Sequence, residues 1–139
     1  MPVFLLDANV LIALAWPDHE FHKRVMTWFA RSARNGWATC PITQSAFVRI
    51  LSNPAFSARA LSPQNALAAL EINVKLPGHR FWPDDLSMSE VFQQFGKRVV
   101  GHRQVTDAYL LALALHHRAQ LATLDESIGA LGEGVEILP

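Results

Sequence analysis

Short apolar runs alternate along this chain with segments whose apolar residues recur at helical spacing. Val3–Leu6, Trp37–Cys40, Leu121–Thr123 and Val135–Leu138 are runs of three or four apolar or β-branched residues, the pattern of strands covered on both faces. His79–Trp82 is a weaker fifth candidate. Asp18 is placed to cap a helix whose Phe21, Val25, Trp28 and Phe29 form one apolar face. Thr43 is placed to cap the next, with Phe47, Ile50 and Leu51 inward and Asn53-Pro54 ending it. Ser62-Pro63 opens a third, carrying Leu67, Leu70 and Val74. Ser87-Met88-Ser89-Glu90 spells a capping box, with Gly96 as the stop. Thr106 opens a last helix, through His117, that is apolar almost all round and therefore central. Strands alternating with helices predict an α/β protein with a parallel sheet and helices on both faces.

Composition narrows this picture. The 139 residues suit one domain, read here as residues 1–139, with no internal repeat and no linker rich in Gly, Ser or Pro. Half the residues are apolar and 17% charged, which excludes a disordered tail or a collagen-like rod. A lone cysteine, Cys40, excludes a disulfide framework and fits a reducing compartment. Twelve basic and twelve acidic side chains balance, so no global basic charge advertises nucleic-acid binding, though a local basic patch is compatible with that total. The first fifteen residues have an apolar stretch, but no basic residue precedes it and Asp7 interrupts it, against a signal peptide. The longest apolar stretch, Ala108–Leu115, is far short of the roughly twenty residues of a membrane helix. A cytoplasmic protein without membrane association is expected.

Parallel sheets bind ligands beyond the carboxyl ends of their strands, which makes the acids informative. Asp7 ends the first strand and Asp125 follows a later one, while Asp107 stands near the start of the apolar helix. Three of the chain's six aspartates thus fall where apolar segments begin or end. Singly, each has an ordinary reading: Asp7 as a helix cap, Asp107 as a charge favourable near a helix N-terminus, Asp125 as a turn residue. Jointly, three crowded carboxylates repel and raise one another's pKa unless a cation neutralises them. Mg²⁺ or Mn²⁺ prefers such oxygen ligands, and metal-assisted phosphodiester hydrolysis suits the arrangement.

Three segments carry a resemblance. Leu5-Leu6-Asp7-Ala8-Asn9-Val10-Leu11-Ile12, Gly101-His102-Arg103-Gln104-Val105-Thr106-Asp107-Ala108-Tyr109-Leu110 and Leu121-Ala122-Thr123-Leu124-Asp125 resemble, in order and spacing, a PIN-domain ribonuclease of the VapC-type toxins of bacterial toxin–antitoxin pairs. The resemblance implies a three-layer α/β/α sandwich around a parallel sheet. It also implies a Mg²⁺- or Mn²⁺-dependent endoribonuclease with transfer or ribosomal RNA as substrate, a VapB-type antitoxin as partner and a homodimer. Carried over by motif, Asp7, Asp107 and Asp125 are the metal-binding acids. Asn9 and Thr106 match polar residues that orient carboxylates. The family usually has a glutamate where this chain has Gln44, which removes one negative charge from the set and weakens its hold on a hard cation. Asp84 or Asp85 offers replacement charge; a solvated turn after Pro83 is the plainer reading of that pair.

Arg49 and Arg103 are candidate phosphate ligands, with surface roles as the alternative, and His102 is a lesser candidate. His19 and His22, and the pair His116-His117, are metal-ligand types, but no third ligand is spaced along the chain to complete a zinc site. Trp16, Trp28, Trp37 and Trp82 read as core residues ahead of an RNA-stacking platform. Leu67, Leu70 and Val74 are candidates to face a partner. Two other readings compete with a nuclease. One is a PIN module that binds RNA or an antitoxin without cutting, with Gln44 marking lost activity. The other is a haloacid-dehalogenase-type phosphatase, disfavoured because that family needs an aspartate where Asn9 stands.

Overall fold

The computed structural model describes residues 2–139. Five parallel strands form one sheet in the order β3-β2-β1-β4-β5: β1 (Phe4–Leu6), β2 (Trp37–Thr39), β3 (His79–Phe81), β4 (Gln120–Thr123) and β5 (Val135–Ile137). Six α-helices flank it among the described residues: α1 (Ala8–Ala15), α2 (His22–Ser32), α3 (Pro41–Leu51), α4 (Pro63–Val74), α5 (Met88–Phe95) and α6 (Arg103–His116). Short 3₁₀ turns follow α2 and α5 and precede β5.

Side chains of β1 alternate between two cores, as the period of a strand requires. Phe4 and Leu6 join α1 to α4 in one core; Leu5 joins α5 and α6 in the other. The result is the expected three-layer sandwich. Central strands β1 and β2 are buried throughout, whereas β3 and β5 at the sheet margins are partly exposed. Trp28 packs edge-on against Phe4 at 5.0 Å and Trp37 against Phe29 at 5.3 Å, so these tryptophans belong to the core, as does Trp82. Residues 108–114 of α6 are all buried, which accounts for a helix apolar on every side.

Two caps are where the local sequence puts them. Ser62 accepts from the Asn65 N–H ahead of Pro63, and Ser87 and Glu90 close a reciprocal capping box. Three are not. Asp18 does not cap α2, which starts at His22; its exposed carboxylate pairs with Arg59 at 3.4 Å instead. Thr43 is buried in the first turn of α3 rather than preceding it, because the helix begins at Pro41. Its hydroxyl reaches back, accepting from the Cys40 N–H at 3.0 Å and donating to the Cys40 carbonyl at 3.1 Å. Thr106 is the fourth residue of α6, which begins at Arg103; the Gln104 side-chain Oε1 accepts from the Val100 N–H just before it. Leu70 of α4 is buried, Val74 is half-buried and Leu67 is 47% exposed. No helix among the described residues is long and apolar enough to cross a membrane.

Candidate active site

β1 and β4 run side by side with Leu6 opposite Ala122, so the residues just beyond them meet at one edge of the sheet. The Asp7 N–H donates to the Ala122 carbonyl at 2.9 Å and extends the ladder by one bond. Asp7 then leaves the strand in an extended conformation and caps α1, its Oδ1 accepting from the Ala8 N–H at 2.8 Å. Its Oδ2 accepts from the Thr123 hydroxyl, also at 2.8 Å. One oxygen of Asp7 thus closes the helix, as the capping reading expects, and the other turns to the Thr123 hydroxyl at the sheet edge.

Thr123 is the hub of this edge. While its hydroxyl donates to Asp7, the same oxygen accepts from the Asp125 N–H at 3.0 Å and the Asn9 side-chain amide at 3.4 Å. Asn9 also accepts from the Leu124 N–H at 3.2 Å. Asn9 thus acts on the carboxylates through Thr123 and the backbone that carries Asp125. Sequence reasoning gave Thr123 no role of its own, taking it as a β-branched strand residue within the Leu121–Asp125 motif. The available signal was its spacing: two residues before Asp125, on the same face of an extended chain.

Asp107 completes the edge from α6. Burial, then the charges of Asp7 and Asp125, push its carboxyl up from 3.8 to about 6. Burial likewise raises Asp7, against the lowering hydrogen bonds from Thr123 and Ala8, with the charge of Asp125 adding to the rise. Asp125 is exposed and its Oδ1 accepts from both the N–H and the hydroxyl of Ser127. No basic side chain pairs with any of the three among the described residues; the ion pair found there is Arg59–Asp18.

This donor set is hard, oxygen-only, negatively charged and without a counter-ion, which fits Mg²⁺ or Mn²⁺. The three carboxylates do not close to within 4.8 Å of one another, as Asp85, His116 and His117 do.

Gln44, half-buried on the first turns of α3, donates from Nε2 to the Thr39 hydroxyl at 2.9 Å; that hydroxyl lies 2.7 Å from His79 Nε2. Gln44 therefore ties the end of β2 to β3. Arg49 lines a cleft of about 370 Å³ with Ser45, Asp84 and Thr106. Arg103 is exposed at the first position of α6. Thr106 is exposed and, among the described residues, makes no side-chain hydrogen bond, whereas Asn9 is bonded to the Thr123 hydroxyl that holds Asp7. Asp84 and Asp85 part company: Asp84 is half-buried beside Thr106, with its Oδ1 buried and unpartnered, and Asp85 turns to the two histidines. That is neither a simple solvated turn nor a pair added to the acid cluster.

A parallel α/β/α sandwich with carboxylates gathered at the carboxyl edge of its central strands defines the class. Residues 4–133 match the PIN domain family. The chain is 44% identical over 126 residues to Ribonuclease VapC39 of Mycobacterium tuberculosis, covering 89% of each sequence. Its fold is similar to that of M. tuberculosis VapC20, described as a sarcin–ricin loop cleaving toxin, with TM-score 0.72, 16% identity and 98% and 99% of the two chains covered. VapBC2 from Rickettsia felis, solved bound to a DNA fragment from its promoter, gives TM-score 0.68 at 10% identity with 99% of each chain covered. The chain belongs to the PIN-domain family, among its VapC-type ribonuclease toxins.

Proposed function

We propose that this protein is a cytoplasmic, divalent-metal-dependent endoribonuclease, the toxin of a VapBC-type pair, hydrolysing phosphodiester bonds in transfer or ribosomal RNA. The observation that carries the reading is the uncompensated cluster of Asp7, Asp107 and Asp125, with Asp107 raised to about 6. Such a cluster is an unfavourable way to end strands unless a cation is bound there in use. Asp7, Asp107 and Asp125 hold Mg²⁺ or Mn²⁺ in this reading. When bound, the ion lowers the pKa of a water and offsets charge on the phosphoryl group.

The chain's own residues do the rest. Thr123 and the Ala8 N–H fix the two oxygens of Asp7, and Asn9 fixes the turn that presents Asp125. Arg49 and Arg103 make no ion pair among the described residues, which leaves both guanidiniums for phosphate oxygens of the RNA. Thr106 takes part by lining the cleft beside Arg49. A VapB-type antitoxin and a second copy of the chain are the proposed protein partners. The exposed apolar residues Leu67 and Ile72 of α4 support an additional binding face.

Gln44 favours a second reading, a module that binds RNA or antitoxin without cutting, since it takes one charge from the metal-binding set. Incubation of total RNA with wild type, Asp7→Ala and Gln44→Glu in Mg²⁺ or Mn²⁺ separates the two. Cleavage by wild type that disappears with Asp7→Ala and with excess chelator supports the nuclease. Cleavage confined to Gln44→Glu supports the binding module, and cleavage indifferent to chelator refutes the metal mechanism.

A further inference from the structure

Away from the acid cluster, Asp85, His116 and His117 each offer a ligand atom within 4.8 Å of the other two. They come from different parts of the chain. Asp85 lies in the loop between β3 and α5, His116 is the last residue of α6, and His117 is its C-cap. None of the three side chains makes a hydrogen bond or ion pair among the described residues, and the charges that face the two rings are those of Asp85, on His117, and of Glu90, on His116. His117 is held in place without polar partners. Its ring stacks on Trp82 at 4.0 Å and 6°, and its Nε2 is buried with nothing to bond. The His116 ring stands at 88° to it, with centroids 5.2 Å apart.

From these observations we infer a second metal site, in which Asp85, His116 and His117 bind one Zn²⁺ ion that ties the loop before α5 to the end of α6. Two imidazoles and a carboxylate select a borderline ion over Mg²⁺, which prefers oxygen alone. Tetrahedral ligands about 2.0–2.1 Å from zinc stand about 3.3 Å apart. The ligand atoms already lie within 4.8 Å of one another, and rotation of the exposed Asp85 and His116 side chains about the stacked His117 brings them to that spacing. Water fills the fourth position. A cation here also meets the negative end of the α6 dipole. The tether has a place in the wider fold. The loop it holds carries Asp84, which lines the cleft with Arg49, and the helix it holds carries Asp107 about 13 Å away along its axis.

The test is calorimetric titration of the untagged full chain with ZnCl₂, in excess Mg²⁺ so that the oxygen-only cluster is filled. One Zn²⁺ per chain is expected at micromolar affinity, weakened at least tenfold by His116→Ala and by Asp85→Ala and unchanged by Asp7→Ala. Saturating Zn²⁺ raises the melting temperature of wild type by roughly 5 °C and leaves that of the two site variants unmoved. Both substituted residues are exposed, and circular dichroism verifies that the variants fold. Absence of Zn²⁺ binding, binding that survives both site variants, or binding lost in Asp7→Ala overturns the inference.

Discussion

Replacing Asp107 with asparagine is expected to stabilise the metal-free protein while abolishing RNA cleavage. Burial and the charges of Asp7 and Asp125 lift the Asp107 carboxyl from 3.8 to about 6, so the folded chain binds its proton more tightly than the unfolded chain does. Between about pH 4 and 6 the folded state therefore carries more protons, and stability falls as pH rises through that window. The shift of about two units corresponds to ~3 kcal/mol. Partial solvent access to Asp107 screens this to about 1–2 kcal/mol. Asparagine removes the ionisation and has nearly the helix propensity of aspartate. In chelator at pH 7.5, its urea midpoint should exceed that of wild type by about 1 M, with a slope of about 1–2 kcal/mol per molar urea. At pH 4 the two curves should coincide, and at pH 7.5 saturating Mg²⁺ should close the gap by stabilising wild type alone. An unchanged or lower midpoint for Asp107→Asn at pH 7.5, or a gap that persists at pH 4, refutes the reasoning.

Thr123→Val keeps the shape of the side chain but removes the hydrogen bond to Asp7 Oδ2 and leaves the Asp125 N–H without its acceptor; a loss of about 1.5–3 kcal/mol in urea unfolding and at least tenfold in RNA cleavage is expected. Gln44→Glu adds a charge to the carboxyl edge, so Mn²⁺ affinity measured by calorimetry should rise about tenfold, as each ~1.4 kcal/mol of added attraction gives one decade. The same substitution should alter His79. Gln44 Nε2 now donates to Thr39, which frees the Thr39 proton for His79 Nε2, whereas a glutamate takes that proton and turns Nε2 into a donor; imidazole ¹⁵N shifts report the tautomer. Leu111→Ala, at a fully buried position of α6, should cost about 2–5 kcal/mol by chemical denaturation, against within ±0.5 kcal/mol for an exposed change such as Arg103→Ala.

Local signals carried far where the structure answers to local physics. β1, β2 and β4 are short and rich in apolar and β-branched residues because both faces are covered, and Ser62-Pro63 and Ser87–Glu90 cap their helices with atoms three residues apart. Asp18 and Thr106 are equally good caps by residue type, yet each helix begins elsewhere because other local hydrogen bonds fix the entry of the chain: His19 Nδ1 accepts from the Phe21 N–H before α2, and the Gln104 side-chain oxygen accepts from the Val100 N–H before α6. Asp7 and Asp125 stood out because carboxylates end apolar runs. Thr123, in a buried strand, resembled any β-branched residue until the Leu6–Ala122 register brought its hydroxyl to Asp7. The Asp85–His116–His117 group was hidden for a related reason. His116-His117 had no third ligand nearby in sequence, and the fold of α5 against α6 supplies one from about thirty residues upstream.

The balanced total of twelve acidic and twelve basic side chains conceals a sorting by place. Paired charges would read as a stabilising network, but the ion pair found among the described residues, Arg59–Asp18, is exposed on both sides and contributes at most about 1 kcal/mol. Stability instead rests on the two apolar cores on either side of the sheet. Asp7, Asp107 and Asp125 stand together without a cation, Arg49 and Arg103 stand without an anion, and both unpaired sets belong to elements at the carboxyl edge of the sheet or the cleft beside it. Separation of this kind costs folding free energy, as the raised carboxyl of Asp107 records. On the proposed function, each set is free for a ligand of opposite sign, a divalent ion for the acids and phosphate oxygens for the arginines, which a neutral total charge does not reveal.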